Sequence, residues 1–597
     1  MIESLQKIFN KMDNELDVAD EWELMEIKPI HKSGNRKQMP NKRGLFLTNN
    51  VSKVYEKVVK ARNNEPFHDN ITEWQTGGVL KRSGIDNTMV TAAVIERNKY
   101  LGKNTYITFT DAEKCFDKLW LEDGINELWR LGTNVRDCIM IKRMNEVARI
   151  VVQTPLGPTR EIQVKRIVRQ GTVYGPQICI SSMDKINLLG TDVVTCYGPH
   201  LQIRAVAYVD DVTGAGSVTS SNNVITNCNI LEDQKKMTFN NKDGKTEYLV
   251  VPFDEKLVKT VTSQIKRGKV QRITEHKLLG TWFDETGQYR INIVKRESNL
   301  QFMTNTTKQI CSTKNMGTLA IEGRLKTAEA VILPAFLYNA EGFAEFTSKE
   351  LEEMEKLQGN MLRQLLEVPK TTYYYGILME TGWLTVEAQL DYRKLMLYHN
   401  ILHSDEKRTL KKLLNFQKLE NRQGTWYHRI CRIIDKYAID LDPNECLKSK
   451  WKHEVKNKVR KETESLIRGK CEVSTKARTV CSGGYELKEY FKTLPIKISK
   501  EVLKYRLHMV NIPMNYKNGW SELNCPLCMS EKGSTEHFFL CSRTEAVRKI
   551  WNVSCLEEED PLKMRDIAQY FGDVESLVEP KWKMQREMAK GRRCQDT

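Results

Sequence analysis

The feature that most constrains the fold is the segment from Ala207 to Gly216, which reads AYVDDVTGAG. Apolar and β-branched residues that favour a strand lead into two adjacent acids, and small residues follow them. This order predicts a β-hairpin with Asp210 and Asp211 at its tip. Because neighbouring side chains on a regular strand point to opposite faces, only a bend can direct both carboxylates to one site. Two hard oxygen ligands at a turn suit Mg²⁺, although a solvated turn is the alternative for an isolated pair.

A third acid, Asp111, follows the strongest strand signal in the chain, the sequence TYITFT at residues 105–110. A carboxylate at the end of a strand is well placed to bind a metal, but as a lone residue Asp111 could equally be a helix N-cap. If its strand lies beside the hairpin, carboxylates from two separate strands meet at one point. That arrangement is what a two-metal site requires.

Two cations and one loop have the character of a nucleotide site. Lys32 and Arg43 fall on predicted neighbouring strands, where a point charge and a planar fork could together hold a triphosphate. Two ordinary surface cations are the alternative. Residues 169–176 read RQGTVYGP, and glycines in such a loop allow the backbone to approach a ligand closely.

Composition limits the class of protein. A chain of 597 residues exceeds one hydrophobic core, so we expect several domains. No apolar run reaches the roughly 20 residues that cross a bilayer, and no signal-peptide pattern is present, which favours an intracellular protein without a membrane partner. The 15 scattered cysteines argue against a disulfide framework. A net charge of +16 favours a polyanionic partner, most simply nucleic acid.

One group of cysteines has the spacing of a metal site. Cys525, Cys528, His537 and Cys541 form the pattern C-x₂-C-x₈-H-x₃-C. Such spacing suits tetrahedral Zn²⁺, and a full set of four ligands favours a structural ion over a catalytic one. The apolar residues around it are expected to form a miniature core: Leu527, Phe538, Phe539 and Leu540.

Residues 401–515 are strongly basic, with the densest run at residues 448–461. A charge run of this kind is usually a solvated helix face. Trp451 lies within it, and an aromatic side chain among cations favours RNA contact as the alternative.

Taken in order, these pieces resemble the reverse transcriptase family, and most closely the enzymes of non-LTR (LINE-type) retrotransposons. The segment DAEKCFD from Asp111 resembles the first catalytic motif, RQG at 169–171 the nucleotide-pocket loop, and YVDD at 208–211 the aromatic-x-Asp-Asp box. Lys245-Thr246 and Leu279-Gly280 match the two later palm motifs, while residues 41–43, 75–77 and 82–83 fit the fingers segment. Residues 336–342, the helix at 351–365 and the Cys-His cluster are similar to the region that follows the palm in non-LTR elements.

The resemblance implies an α+β right-hand polymerase with fingers, palm and thumb, followed by a mainly helical basic region and a small zinc knuckle. The implied domains are an N-terminal helix at 1–24, fingers and palm at 25–290, a helical thumb at 291–400, the basic region at 401–515, the knuckle at 516–545 and a tail at 546–597.

The resemblance also implies roles for individual residues. Asp111, Asp210 and Asp211 would bind two Mg²⁺ or Mn²⁺ ions, and Lys245 would give a proton to pyrophosphate. The incoming nucleotide would be held by Lys32, Arg43, Gln170 and Gly171, and Phe116 would crowd the 2′ position of its sugar. Val173 and Gly175 depart from the pocket loop of the family, which usually has Pro and Ser there.

The implied function is RNA-directed DNA synthesis that copies element RNA into cDNA, in target-primed retrotransposition, with an RNA template, a DNA primer or target and dNTPs as partners. No endonuclease is visible, so a separately encoded one is expected to nick the target. A nuclear protein with a cytoplasmic ribonucleoprotein stage follows from this reading. The alternatives are a viral RNA-copying polymerase, an intron-maturase-like enzyme and an inactive remnant that only binds RNA.

Overall fold

The protein was analysed as a computed structural model. The structure describes residues 2–32, 34–38, 41–113, 115–165, 168–169, 171–189, 194–198, 201–235, 237–240, 245–266, 268–481, 483–510, 524–556 and 558–593. The chain forms two compact units. The first comprises residues 1–288, 342–345 and 400–429, and the second comprises residues 289–341, 346–399 and 430–597.

Among the residues that the structure describes, the strands all belong to the first unit. They are β1 (Leu24–His31), β2 (Lys42–Leu47), β3 (Thr105–Thr110), β4 (Val147–Thr154), β5 (Gly157–Pro158), β6 (Ile162–Lys165), β7 (Val194–Gly198), β8 (Leu201–Arg204), β9 (Val206–Tyr208), β10 (Asp211–Gly216), β11 (Glu247–Val251), β12 (Gln264–Ile265), β13 (Gly268–Lys269), β14 (Gln271–Ile273), β15 (Glu275–Leu278) and β16 (Thr281–Asp284).

One sheet, in the order β14-β11-β3-β10-β9, carries the predicted acids. Its central strand β3 is buried at every position, as its continuous run of β-branched and aromatic residues favours. Strand β10 runs antiparallel to β3 with Val212 opposite Thr110, and also antiparallel to β9 with Asp211 opposite Tyr208. The hairpin predicted from the sequence is therefore formed, and it lies beside the strand that ends at Asp111.

A second sheet, in the order β2-β1-β4-β5 with β6 also on β4, holds the predicted basic residues. Strands β1 and β2 are antiparallel, with Ile30 opposite Arg43 and His31 opposite Lys42. The pairing of these two strands is as the sequence indicates. A separate hairpin is formed by β15 and β16. Its turn is Leu279-Gly280, where both residues have positive φ.

The helices that pack on these sheets are α1 (Ile2–Glu15), α2 (Asn50–Arg62), α3 (Asn64–Asn70), α4 (Gly84–Tyr100), α5 (Cys115–Lys118), α6 (Leu121–Arg130), α7 (Val135–Glu146), α8 (Gly175–Met183) and α9 (Val218–Lys235). Apolar residues of these helices, α4 apart, share a large core with the sheet that carries the acids, and this core includes Ile178, Ala207 and Val212. Burial of this apolar surface is the main force that fixes the sheet in place.

The other helices of the described residues follow later in the chain. They are α10 (Arg290–Ile310), α11 (Thr313–Met316), α12 (Ala320–Thr327), α13 (Leu333–Phe336), α14 (Ser348–Leu366), α15 (Tyr374–Thr381), α16 (Val386–Leu402), α17 (Thr409–Glu420), α18 (Trp426–Lys436), α19 (Lys448–Glu472), α20 (Tyr490–Thr493), α21 (Ile496–Arg506), α22 (Thr535–Leu540), α23 (Glu545–Ile550) and α24 (Pro561–Arg593). Among the described residues, no helix combines the length and apolar character needed to cross a membrane.

Residues 400–429, which include α17, pack with the first unit although the sequence analysis placed most of them in the basic region. Arg408 donates to both carboxylate oxygens of Asp86 at the start of α4, at 2.7 and 2.8 Å. Lys412 pairs with Glu73, and Arg422 pairs with Glu96. A segment about 300 residues downstream in the sequence is thus bound to the first unit by ion pairs.

In the second unit, α14 begins with a capping box between Thr347 and Glu350 and buries the apolar stripe that the sequence shows. The sequence suggested that Trp451, which lies in α19, contacts RNA, and this prediction was wrong. This side chain is fully buried and its indole N–H donates to the carbonyl of Leu395 at 3.1 Å. The helical period aligns Trp451 with Val455 and Val459 on the buried face, so Trp451 packs in the core and its ring cannot stack on a base.

Candidate active site and zinc site

The three acids meet at one end of the sheet described above. Asp111 directly follows β3, and Asp210 and Asp211 lie at the turn between β9 and β10. The turn has two residues, and the first of them, Val209, has a φ of +60°. A positive φ at this position is the signature of a type II′ hairpin turn, which bends the chain enough to bring adjacent acids to one site.

Lys245 lies beside this group because it is two residues before the start of β11, which pairs with β3. Its Nζ donates to Oδ1 of Asp111 at 2.7 Å. Both side chains are about one third exposed, so the ion pair faces solvent and can open. The sequence offered an N-cap role for Asp111, but in the structure its carboxylate instead pairs with this cation.

The electrostatics of the acids indicate a site for a hard cation. Burial, with the neighbouring charges of Asp210 and Asp111, raises the pKa of Asp211 to about 7. Burial and Asp111 likewise raise the pKa of Asp210. Carboxylates that repel each other in a partly dehydrated place are stabilised when a divalent cation neutralises them. The donor set therefore fits Mg²⁺ or Mn²⁺, which prefer carboxylate oxygens.

A cavity of about 1000 Å³ opens next to these acids. Its wall includes nearly all the residues that the sequence assigned to nucleotide binding and catalysis: Lys32, Arg43, Asp111, Phe116, Gly171, Asp210, Asp211 and Lys245. Both sheets contribute to the wall. Cations of the second sheet and carboxylates of the first therefore line the same cavity. Gln170 lies outside the described residues. The structure brings the described site residues together, while their individual roles stay predictions.

The loop that contains Gly171 is held by contacts within the first unit. Gly171 has a φ of +99°, and a Cβ there would lie 2.9 Å from the carbonyl oxygen of Phe46. Glu56 of α2 accepts hydrogen bonds from the N–H groups of Val173 and Tyr174, at 2.5 and 3.2 Å. Burial raises the pKa of Glu56 despite these bonds. Sequence reasoning missed Glu56, although an acid on the buried face of an amphipathic helix was a usable signal.

The C-terminal cluster brings together four side chains that could hold a metal ion. One ligand atom from each of Cys525, Cys528, His537 and Cys541 lies within 4.8 Å of all the others. Although partial burial opposes ionisation, N–H donors of Ser530 and Glu531 lower the pKa of the Cys528 thiol. A thiolate is the form that binds zinc.

Glu531 completes this cluster and was missed from the sequence. Its carboxylate lies 2.9 Å from Nδ1 of His537, which leaves Nε2 directed to Cys528 Sγ at 3.3 Å. Such a carboxylate fixes the tautomer and orientation of a metal-binding histidine. Of the expected miniature core, Phe538 and Phe539 are buried. Leu540 is instead 72% exposed, because α22 turns it to solvent.

Comparison with known proteins agrees with this geometry. Residues 30–273 match the family described as reverse transcriptase (RNA-dependent DNA polymerase). The matched part of the chain contains the sheet and the three acids, and it is a reverse transcriptase domain. The α+β polymerase fold predicted from the sequence is confirmed.

Solved structures that align with the chain include telomerase from Candida albicans in complex with a TWJ fragment of telomeric RNA, at 10% identity and a TM-score of 0.31. The alignment covers 65% of this chain and 66% of that one. A C-terminally truncated apo telomerase from Candida tropicalis aligns at 13% identity and a TM-score of 0.31, over 47% and 59% of the two chains. The chain thus spans less than two thirds of the length of these two structures. None of the curated proteins compared with the chain matches it.

Proposed function

We propose that this protein is an active RNA-directed DNA polymerase. The observation that carries the proposal is the convergence of Asp111, Asp210 and Asp211 with cations of the other sheet on one cavity. The carboxylates would hold two Mg²⁺ or Mn²⁺ ions, which when bound stabilise the charge that develops during phosphoryl transfer. Nucleotide addition depends mainly on such positioning and charge stabilisation.

The remaining residues of the cavity would orient the incoming dNTP. Lys32 and Arg43 supply positive charge for the triphosphate, and Gly171 allows the backbone to approach the nucleotide. Phe116 is half-buried beside the acids, where an aromatic ring would exclude a 2′-hydroxyl. Lys245, 2.7 Å from Asp111, would supply a proton to the leaving pyrophosphate.

A primer-extension assay on the purified chain tests this proposal. RNA and DNA templates are compared, each with dNTPs and with NTPs, in Mg²⁺ and in Mn²⁺. We expect dNTP incorporation on RNA, and a loss of at least about 10³-fold in Asp210→Asn, because the amide keeps the size but loses the charge. Asp233→Asn is the matched control, since Asp233 is a surface acid of α9.

Near wild-type extension by Asp210→Asn would contradict the assignment of the site. An inactive wild-type chain that still binds RNA would favour the alternative of an RNA-binding remnant.

We further propose that the chain serves a non-LTR retroelement and copies its RNA from a nick in nuclear target DNA, which another protein makes. The zinc site and the helices after the polymerase motifs support this finer assignment, because zinc knuckles add nucleic-acid binding surface. Incubation with element-like RNA and duplex DNA that carries a defined nick tests it. We expect cDNA joined covalently to the 3′-end at the nick, and extension only from free oligonucleotide primers would contradict it.

A further inference from the structure

The hairpin that carries Asp210 and Asp211 has an unfavourable backbone at Val209. This residue has a φ of +60°, a region that suits glycine and disfavours a β-branched side chain. Such a conformation persists only where neighbouring groups determine it. The contacts of the Val209 peptide groups therefore decide where the two acids point.

Gln75 makes both of these contacts. Its Oε1 accepts a hydrogen bond from the Val209 N–H at 2.9 Å, and its Nε2 donates to the Val209 carbonyl at 3.1 Å. The side chain is only 1% exposed, so water cannot easily replace either bond. One amide thus holds the peptide groups on both sides of the Val209 Cα.

The segment around Gln75 is itself fixed against the hairpin. The Thr76 N–H donates to the Ala207 carbonyl at 2.7 Å, and the Ala207 N–H donates to the Trp74 carbonyl at 2.8 Å. Gly77 lies so close that a Cβ there would be 2.6 Å from the Val209 nitrogen. Residues 74–77 therefore form a rigid support along β9, and the Gln75 side chain extends beyond the end of β9 to contact the turn.

Arg82 in turn fixes the backbone of this supporting segment. Its guanidinium donates to the carbonyls of Gln75 and Thr72, at 2.8 and 2.6 Å. The backbone of Gln75 is thereby fixed while its side chain binds Val209.

We infer that Gln75 is a positioning residue for catalysis, which holds the Val209 turn in the conformation that directs Asp210 and Asp211 into the cavity. The inference rests on the proposed polymerase function. Gln75 does not line the cavity, so it acts through the hairpin and not through contact with the nucleotide.

The test is a double-mutant cycle in the full-length protein, with single-nucleotide extension on an RNA template as the readout. Gln75→Met keeps the bulk of the side chain and removes both bonds. We expect kcat to fall about 100-fold, the effect of a displacement of about 1 Å, with the KM for dNTP changed less than about threefold. Val209→Gly removes the unfavourable φ, so in that background Gln75→Met should cost about tenfold less.

Gln417→Met is the matched control. Gln417 is equally buried in the same unit, where it donates to Tyr197 Oη at 3.0 Å and accepts from the Tyr427 N–H at 3.1 Å. This variant should lose stability to a similar extent and keep the wild-type kcat.

Gly77→Ala gives a second route if Gln75→Met does not fold, because it displaces Val209 without removing a buried polar group. The same selective loss of kcat is expected. An unchanged kcat in either folded variant, or strictly additive effects in the cycle, would overturn the inference. An inactive wild-type protein would instead refute the proposed polymerase function.

Discussion

The ion pair between Arg408 and Asp86 provides a sharp test of how residues 400–429 are attached to the first unit. The two side chains are 5% and 2% exposed, and their contact is bidentate. Asp86 also accepts a hydrogen bond from the Ser83 N–H in the capping box of α4. Changing Arg408 is therefore the cleaner perturbation, since it leaves the cap in place and removes only the partner of the buried carboxylate.

Arg408→Met should destabilise this attachment by about 3–5 kcal/mol, because it leaves an uncompensated charge in a buried place. Lys412→Met supplies the control, four residues further along the chain in α17. Lys412 is 40% exposed in its pair with Glu73, and loss of such a surface pair costs no more than about 1 kcal/mol. The double variant Asp86→Asn with Arg408→Met should recover part of the loss, since Asn carries no charge and keeps the acceptor for Ser83.

Hydrogen–deuterium exchange of the α4 and α17 amides is the suitable assay, because it reports local opening in a chain with two units. A loss of about 3 kcal/mol corresponds to about a 100-fold fall in protection for amides that exchange by this opening. If Arg408→Met and Lys412→Met changed protection equally, the reasoning from burial would be wrong.

Three further predictions follow from single sites. Phe116→Val should raise the use of ribonucleotides relative to dNTPs, measured as the ratio of kcat/KM values. An unchanged ratio in a folded variant would mean that Phe116 only packs in the core. Elemental analysis should find one zinc per chain. Glu531→Ala should weaken zinc binding about 10- to 100-fold in a chelator competition, because His537 loses its orienting carboxylate, and basal extension should persist. Burial raises the pKa of Asp184 to about 6, above its unfolded value, so the native state holds its proton more tightly between pH 4 and 6. The unfolding free energy of the wild type relative to Asp184→Asn should therefore fall by about 3 kcal/mol as pH rises through this window, and parallel denaturant curves would contradict it.

Local patterns in the sequence were sufficient where local physics decides the structure. The run at residues 105–110 and the hairpin at 207–216 have the β-branched residues and small turn residues that strands and hairpins require, and both elements form as predicted. Trp451 shows the limit of reading composition alone. Its place among lysines suggested an exposed ring, but the four-residue spacing to Val455 and Val459 already placed it on a buried stripe.

Contacts between distant segments were beyond the reach of such patterns. Nothing near Arg408 in the sequence indicates that its partner is Asp86, so the prediction grouped residues 401–429 with the basic region and not with the unit to which they are bound. A charged residue in a basic region has many possible partners, and only the packed fold selects one of them. For the same reason, the role of Glu531 became visible only when its carboxylate was found beside His537.

The same limit explains why the acids could be found from a motif while the residue that holds them could not. Resemblance to a family picks out the residue types at a position but does not say whether a side chain touches the substrate or fixes another segment. The resemblance placed residues 75–77 in the fingers segment and gave Gln75 no role of its own. In the structure Gln75 instead binds Val209, 134 residues away. Variants at Gln75 should therefore change the rate of catalysis much more than the affinity for nucleotide, which is the opposite of what a direct fingers contact would produce.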